Sequence, residues 1–377
     1  MRIAIFTYQF SYNYGTVLQA LALQHVLKIM GHEPINVLYD CHAEQSRRER
    51  LFTLLKSPIL FLSELYDLYN RDKLDYSFQK EDWFKSTIKT DFEYYIKHVK
   101  TTQNWYNILT IRSLEDFDCY MVGSDQTWSP KINQVANCFL LDKFDIHKPR
   151  VAYAPSMGAG KLSPFYKAYV KRKLKKFDSL SCRDINNSEI LSKLLRKDVL
   201  NVVDPTLLLN TEEWREYEEI PKIEKSEKYI LYYSLGERTD MVEYAKEIAQ
   251  KSNLKLYTIV TRDMYRTLEN PLYNINPGSF LWLVRNAQTV ITDSYHCVLF
   301  SINFHKNFYA FTKRANGGDN GRISEVLRRT GLLDRMLISL DDMIDVYSPI
   351  SYTKVDRELK SWIEESKVYL NSSLKNE

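Results

Sequence analysis

The sequence predicts an α/β fold in which two doubly wound, Rossmann-like domains face each other across a cleft. Short apolar strands alternate with segments of helical periodicity along most of the chain, a pattern typical of parallel sheets covered by helices. The length of 377 residues exceeds what one core usually organises. A charged stretch with one proline, residues 213–227, interrupts the alternation and indicates a linker between the domains.

The N-terminal domain is expected over residues 1–212 and begins with a β-α-β unit. Residues 2–8 form an apolar strand, residues 16–30 carry apolar side chains at helical spacing, and Gly31 follows as a C-terminal cap. The next strand, at 35–39, should run parallel to the first through a right-handed crossover. The loop between the first strand and the helix therefore lies at the carboxyl edge of the sheet, where open α/β folds bind ligands.

The rest of this domain continues the alternation after an insertion. Residues 41–110 are rich in lysine and aromatic side chains and are expected to form a helical insertion. The pattern does not define the order of the elements within it. A basic helix at 161–177 is expected to direct its charges to solvent. The other predicted elements are strands within 117–128, 149–158, 178–184 and 199–209 and a helix at 188–197.

The C-terminal domain is expected over residues 228–350 and starts with a strand at 229–236. The amphipathic segment 351–377 should form a terminal helix that packs back on the N-terminal domain. The other predicted elements are helices at 241–253, 278–288, 295–304 and 323–332 and strands at 254–260, 289–293 and 307–311.

Composition argues against several classes of function. The net charge of +4 is spread along the chain, so no nucleic-acid partner is indicated. The five cysteines are scattered and form no CxxC pair, which argues against a disulfide framework or a zinc site and fits a reducing cytoplasm. No uninterrupted apolar run reaches about eighteen residues, so no membrane span is expected.

The stretch ITDSYHCVLF, residues 291–300, places His296 in the first turn of a helix that begins near Ser294. Free backbone N–H groups and the helix dipole make such a turn an anion site. The same positive end disfavours an imidazolium, so a histidine there is suited to act as a base. A packed histidine that bonds a backbone carbonyl is the alternative interpretation of the same spacing.

Two loops at the carboxyl edge of the first sheet supply candidate ligand contacts. In the first, an asparagine and a tyrosine offer hydrogen bonds, and the following glycine permits close approach of a ligand to the backbone. That loop is not GxGxxG and lacks an acidic residue for a ribose, so dinucleotide binding is not expected. The second loop carries a carboxylate suited to orient sugar hydroxyls, although turn capping explains it nearly as well. The candidate residues are Asn13, Tyr14, Gly15, Ser124, Asp125 and Gln126.

Two arginines are candidates for binding an anionic substrate. Arg183 ends a predicted strand near the cleft, and Arg322 lies between a glycine-rich loop and a helix. The planar guanidinium fork suits a carboxylate or a phosphate, but either arginine alone is explained equally by a surface salt bridge. The sequence contains no P-loop, HExxH or GxSxG motif, and no metal site is predicted.

Seven segments follow one another in a characteristic order along the chain. They are NYGTVLQALALQHVLKIMGH (13–32), DCYMVGSDQTW (118–128), YAPSMG (153–158), SCRD (181–184), DPTLLL (204–209), TDSYHCVLFSI (292–302) and GRISEVL (321–327). Together they resemble the polysaccharide pyruvyl transferase family and leave residues 41–110 uncovered. The resemblance implies a glycosyltransferase-B-like pair of domains. Characterised members move pyruvate from phosphoenolpyruvate onto two hydroxyls of one sugar and so form a cyclic ketal.

The resemblance also implies roles for individual residues. The family's histidine falls on His296, the expected catalytic residue, and its early arginine falls on Arg183. Ser294, Tyr295 and Arg322 complete the expected donor site. Characterised members carry an arginine two places before the histidine, where this chain has Ser294. Either Arg322 supplies the missing charge, or this branch uses a somewhat different donor.

The implied function is pyruvyl transfer to a sugar of a bacterial-type cell-surface polysaccharide or its lipid-linked precursor. Phosphoenolpyruvate is the co-substrate, and no other cofactor and no metal are expected. We expect a cytoplasmic protein. A location at the inner face of the membrane, in peripheral contact with membrane-bound glycan-assembly enzymes, is compatible with this expectation. The alternatives are a nucleotide-sugar glycosyltransferase of the same fold and a non-catalytic scaffold of a glycan-assembly complex. The sequence indicates neither the acceptor nor the oligomeric state.

Overall fold

Parallel strands form two separate main sheets in the computed structural model of the chain. The structure describes residues 1–9, 13–40, 82–107, 111, 114, 116–129, 139–141, 147–158, 162–224, 228–311, 321–337, 341–342 and 344–375. We call the first sheet and its elements, up to Arg215, the N-terminal half, and the elements from Tyr229 to Leu337 the C-terminal half.

The N-terminal half is built on a four-stranded sheet in the order β2-β1-β5-β6, with every neighbouring pair parallel. Strands β3 and β4, and strands β7 and β8, form two short additional pairs. In chain order the elements are β1 (Arg2–Phe6), α1 (Tyr14–Ile29), β2 (Glu33–Asn36), β3 (Tyr39–Asp40), α2 (Asp82–His98), β4 (Tyr106–Asn107), β5 (Cys119–Val122), β6 (Arg150–Ala152), α3 (Pro164–Leu174), β7 (Ser181–Cys182), α4 (Ile185–Leu195), β8 (Leu200–Asn201) and α5 (Thr211–Arg215).

Helix α1 connects this sheet to the other half of the molecule. It begins at Asn13, whose side chain accepts a hydrogen bond from the Gly15 amide. It ends at Gly31, whose φ of 83° lies in the left-handed region that favours glycine. Nearly all of its side chains are buried, because the sheet and α2 cover part of its surface and helices of the C-terminal half cover another part. The N-terminus of α1 therefore lies at the carboxyl edge of the sheet and faces the C-terminal half.

The C-terminal half is built on a six-stranded parallel sheet in the order β11-β10-β9-β12-β13-β14. The central strands β9 and β12 are fully buried, as expected for parallel strands with both faces covered. In chain order the elements are β9 (Tyr229–Tyr233), α6 (Thr239–Ser252), β10 (Lys255–Ile259), β11 (Pro271–Leu272), α7 (Pro277–Asn286), β12 (Thr289–Thr292), α8 (Tyr295–Asn303), β13 (Asn307–Phe311), α9 (Gly321–Thr330) and β14 (Met336–Leu337).

The terminal helix α10 (Tyr352–Ser372) makes contacts with the N-terminal half. The Ser366 hydroxyl accepts a hydrogen bond from the Val203 amide at 2.9 Å, and the Tyr369 hydroxyl donates to the Ala152 carbonyl at 2.8 Å. These bonds attach the end of the chain to β6 and to the segment after β8. None of the described helices is both long enough and apolar enough to cross a membrane.

The two parallel sheets confirm the predicted fold class. The domain limits given above, 1–212, 213–227, 228–350 and 351–377, stay predictions. Of the predicted helical insertion, residues 41–81 lie outside the described residues, and α2 occupies 82–98.

The strand predicted within residues 199–209, with its end at Asp204 and Pro205, is shorter than expected. It is reduced to two residues and followed by a 3₁₀ turn at Pro205–Leu207. The turn forms because the Asp204 carboxylate accepts a hydrogen bond from the Thr206 amide at 3.1 Å, and because Pro205 occupies the first position of the turn.

Candidate active site

A polar cleft lies where the carboxyl edges of the two sheets face each other. One wall comes from the N-terminus of α1 and the loop after β5, and the other from the loop after β9 and the first turns of α8 and α9. The lining residues are Asn13, Asp125, Gln126, Leu235, Asp293, Ser294, Tyr295, His296, Arg322 and Ile323.

An ionic network centred on Arg183 lies directly behind the cleft. Arg183 Nη1 donates to Asp204 Oδ2 at 2.6 Å, and Nη2 donates to Asp125 Oδ1 at 3.0 Å. The side chains of Arg183 and Asp204 are completely buried. Two carboxylates around one guanidinium leave a net charge of −1, so this network attracts a further cation. The cationic or protonatable side chains nearest to it are His296 and Arg322.

The network keeps its members charged in spite of their burial. Burial by itself would raise the pKa of Asp204, but His296 and Arg183 lower it well below the ordinary value. Burial opposes ionisation of Asp125 in the same way, and Arg183, followed by His296 and Arg322, lowers its pKa. Burial would lower the pKa of Arg183, whereas Asp204 and Asp125 raise it. The carboxylates are therefore charged at neutral pH.

His296 lies in the first turn of α8, and both of its ring nitrogens meet the N-terminal half. Nε2 lies 3.6 Å from Asp204 Oδ2 and 3.4 Å from Arg183 Nη1. Nδ1 faces Gly15 so closely that a Cβ atom on Gly15 would lie 2.0 Å from it. The residue is 3% exposed, at the wall of the cleft. The absence of a side chain at Gly15 is therefore what allows the imidazole to occupy this position.

Two helix N-termini open into the same cleft. Asn13 caps α1, and Ser294 caps α8 by accepting a hydrogen bond from the Cys297 amide at 3.5 Å. Both capping residues line the cleft. Since each helix carries a partial positive charge at its N-terminus, the two helices together favour an anion between them.

Arg322 contributes a full positive charge to the cleft. Its guanidinium lies 5.5 Å from the centre of the Tyr295 ring, and Arg183 lies 4.9 Å from that centre. When the Gln126 amide is oriented with its oxygen toward Arg322, that oxygen accepts hydrogen bonds from Nη1 and Nη2 of Arg322, each at 3.2 Å. It forms no ion pair with any residue that the structure describes. One turn further along α9, Glu325 accepts from the Ile185 amide at 3.0 Å and so attaches α9 to α4 of the other half.

Asp293 stabilises the loop after β9 and does not offer a free charge. Its carboxylate accepts hydrogen bonds from the Leu235 amide at 2.7 Å, the Gly236 amide at 2.8 Å and the Ser234 hydroxyl at 3.0 Å. All its bonds thus go to one loop, which forms part of the cleft wall. We infer a structural role for this carboxylate.

The predicted site residues fall into three groups. Tyr14 is a core residue: its ring stacks on Tyr233 and Phe280, with ring centres 5.6 and 4.9 Å away, because α1 packs against the C-terminal half. Ser124 and Arg183 lie behind the cleft, where both hydrogen-bond to Asp204, and Gly15 lies against His296. The residues that line the cleft are Asn13, Asp125, Gln126, Ser294, Tyr295, His296 and Arg322.

Sequence reasoning missed Asp204, the carboxylate that contacts both Arg183 and His296. Its Asp-Pro sequence after a strand was visible and marks a turn, but a turn does not reveal which side chains lie across from it. Asp204 is 21 residues from Arg183 and 92 from His296 along the chain. Among the described residues, no group of three or more His, Cys, Asp or Glu side chains is arranged to hold a metal ion.

A family model for polysaccharide pyruvyl transferase matches residues 13–312 of the chain. Comparison with curated proteins finds no match. Among solved structures, the chain is similar to a putative UDP-N-acetylglucosamine 2-epimerase from Listeria monocytogenes, with 11% identity, a TM-score of 0.46, and coverage of 98% of this chain and 89% of that chain. It is also similar to the glycosyltransferase SsfS6 from Streptomyces sp. SF2575, with 10% identity, a TM-score of 0.40, and coverage of 99% and 95%.

Proposed function

The chain belongs to the polysaccharide pyruvyl transferase family, and on this basis we propose that it transfers pyruvate from phosphoenolpyruvate to two hydroxyls of one sugar, forming a cyclic ketal. The family makes the chain a transferase; the donor, the product and the acceptor are our proposal. The acceptor we propose is a sugar of a cell-surface polysaccharide or of its lipid-linked precursor, reached from the cytoplasm. The observation that carries the proposal is the cleft in which His296, two helix N-termini and Arg322 converge.

The charge of the cleft suits a donor with two anionic groups. Phosphoenolpyruvate carries a carboxylate and a phosphate, and each needs hydrogen-bond donors or cations to replace its hydration. Arg322 offers a planar fork, and the N-termini of α1 and α8 offer amide groups with a favourable dipole. Arg183 is already bonded to two carboxylates, so we assign it a positioning role: it holds Asp125 and Asp204 in place.

The reaction consists of two successive attacks on the same donor carbon, first an addition and then a substitution. In the first, a sugar hydroxyl loses its proton and attacks the carbon that bears the phosphate, while the neighbouring methylene carbon gains a proton and becomes a methyl group. In the second, the C–O bond to phosphate breaks, the electron pair leaves with inorganic phosphate, and the second hydroxyl attacks with loss of its proton. The products are the ketal and inorganic phosphate.

His296 is the residue we propose for the proton transfers. An imidazole alternates readily between acid and base near neutral pH. Asp204, close to Nε2, stabilises the protonated ring, while Arg322 and the helix N-termini stabilise the negative charge that builds up on the leaving phosphate. No step in this scheme requires a redox change.

Ligand binding followed by product analysis tests the proposal. Phosphoenolpyruvate should raise the melting temperature of the protein, and a nucleotide sugar should not. Incubation with phosphoenolpyruvate and a panel of lipid-linked oligosaccharides should then give a pyruvate adduct in the mass spectrum and release inorganic phosphate. Stabilisation by a nucleotide sugar alone would favour a glycosyltransferase, and no stabilisation by either ligand would favour a scaffold.

A further inference from the structure

The surface helix α3, Pro164–Leu174, carries most of its basic residues on the side opposite its buried residues. Ser163 caps its start by accepting a hydrogen bond from the Tyr166 amide at 3.1 Å. The buried residues are Tyr166, Tyr169, Val170, Lys173 and Leu174, and the Tyr166 hydroxyl donates to the Trp128 carbonyl at 2.6 Å. Four basic residues on and just beyond the helix are exposed or half-exposed and form what we call the basic face: Lys167, Lys171, Arg172 and Lys175.

The segment that carries the basic face contains no acidic residue of its own. No Asp or Glu occurs between residues 161 and 177. Lys167, Lys171 and Lys175 follow one another at intervals of four, so like charges lie on adjacent turns and destabilise the helix. Other exposed helices of the chain pair their lysines along the helix, as Lys246 does with Glu243 and Lys251 with Glu247. A stripe of lysines with no acidic neighbour on its own helix therefore indicates a partner of negative charge.

Neighbouring elements extend the same surface. Without the buried Lys173, Arg183 and Asp184, residues 162–200 contain eight basic and three acidic side chains, a net charge of +5, whereas the whole chain carries only +4. Two large apolar side chains are exposed within this region: Phe165 is 38% exposed and Leu200 is 50% exposed. The combination of basic and apolar side chains is typical of surfaces that bind the headgroup region of anionic membranes.

The start of α3 also lies on the cleft side of the N-terminal half. The helix follows β6 and the loop 153–158, which leaves the carboxyl edge of the sheet. In that loop, Gly158 lies close to the cleft residue Gln126, since a Cβ atom on Gly158 would be 3.0 Å from the end of the Gln126 side chain. A surface bound through α3 would therefore lie beside the opening where an acceptor enters.

We propose that the basic face of α3, with Phe165, binds the anionic surface of a phospholipid membrane and brings the cleft to a lipid-linked acceptor. This rests on the proposed function only for the identity of the acceptor. A nucleic acid would also be attracted by the charge, but it would leave the exposed Phe165 and Leu200 without a role. Lipid phosphates and the acyl boundary together account for both kinds of side chain.

Vesicle co-sedimentation of the full chain tests the membrane contact without donor or acceptor. The wild type should bind phosphatidylcholine vesicles that contain one quarter phosphatidylglycerol, fail to bind pure phosphatidylcholine, and be released by high salt. Each basic side chain near an anionic surface contributes about fivefold in affinity, so a Lys167→Gln, Lys171→Gln, Lys175→Gln variant should bind about a hundredfold more weakly. Its melting temperature should not fall, because the repulsion within α3 is relieved.

A matched triple substitution on another helix is the control. Lys354, Lys360 and Lys367 are exposed on α10, and their replacement by glutamine changes the net charge equally. This control should bind vesicles like the wild type. Equal losses in both triple variants, no vesicle binding by the wild type, or tight RNA binding in place of vesicle binding would overturn the proposal. Because the assay contains no phosphoenolpyruvate, a failure of pyruvyl transfer would leave its result unaffected.

Discussion

Replacing Gly15 by alanine should disable the transferase through His296 while leaving the fold intact. In the wild type, helix α1 approaches the imidazole so closely that the added Cβ would lie 2.0 Å from Nδ1 and 2.1 Å from Cγ. Non-bonded Cβ contacts essentially never fall below 3.0 Å, and the Cβ of His296 itself would lie only 2.5 Å away. The first turn of α8 therefore has to withdraw from α1, and the ring moves by about 1 Å. The distance between His296 Nε2 and Asp204 Oδ2, 3.6 Å in the wild type, changes when the ring moves.

A displacement of this size is large on the scale of catalysis. Misplacing a reacting group by about 1 Å lowers a rate by roughly a hundredfold, or about 2.7 kcal/mol of activation free energy. Arg322 is not touched by the substitution, whereas the N-termini of α1 and α8 both adjoin the added methyl group. We therefore expect kcat to fall by about that factor, and the KM for phosphoenolpyruvate to rise less than it does in Arg322→Ala.

Initial rates of phosphate release with phosphoenolpyruvate and a reactive acceptor measure the effect, and thermal unfolding checks the fold. Gly321→Ala is the matched control. A Cβ at Gly321 would have no atom of the described residues within 4 Å, although Gly321 adjoins Arg322, so the kcat of this variant should equal that of the wild type. A folded Gly15→Ala variant with wild-type kcat would show that the position of the imidazole does not limit the reaction, and would refute our assignment of His296.

Three other substitutions test separate parts of the interpretation. His296→Ala should lower the transfer rate by 10²- to 10⁴-fold while the protein stays folded, and near-normal turnover would exclude an acid–base role. Arg322→Ala should raise the KM for phosphoenolpyruvate about ten- to a hundredfold and leave acceptor affinity unchanged, with Arg322→Lys restoring only part; unaltered donor kinetics in both would remove Arg322 from the donor site. Asp91 is buried with neither carboxyl oxygen hydrogen-bonded among the described residues, and burial raises its pKa well above the ordinary value. The folded state therefore holds this proton more tightly than the unfolded chain, so the free energy of unfolding should fall as the pH rises above about 4, by up to about 1.4 kcal/mol per pH unit. Urea unfolding at several pH values should show Asp91→Asn gaining stability relative to the wild type as the pH rises, and parallel curves would contradict the protonated state.

The order of elements could be predicted from the sequence because local patterns determine it. Alternation of apolar strands and helices predicts parallel sheets, and Asn13, Gly31 and Ser294 mark helix ends by chemistry that depends only on neighbouring residues. The loops that follow parallel strands meet at one sheet edge by topology alone. For this reason Asp125 and His296, far apart in the chain, were both expected in one cleft.

The contacts inside the site could not be predicted in the same way. Tyr14 is beside two cleft residues in sequence, but the direction of its side chain depends on which surface of α1 the C-terminal half covers. Gly15 was expected to approach a ligand, and it approaches the His296 ring instead, because the two helix N-termini pack directly against each other. Both outcomes depend on the docking of the two halves, which no local pattern encodes.

The docking of the halves also determines when His296 can act. The histidine belongs to the C-terminal half, whereas Gly15, Asp204 and Arg183, which surround its two nitrogens, belong to the N-terminal half. The relative position of the two halves therefore sets the distance between the imidazole, which lines the cleft, and a bound sugar hydroxyl. A donor bound between the N-termini of α1 and α8 would contact both halves at once. Donor binding and the placement of His296 for catalysis are therefore expected to be coupled steps.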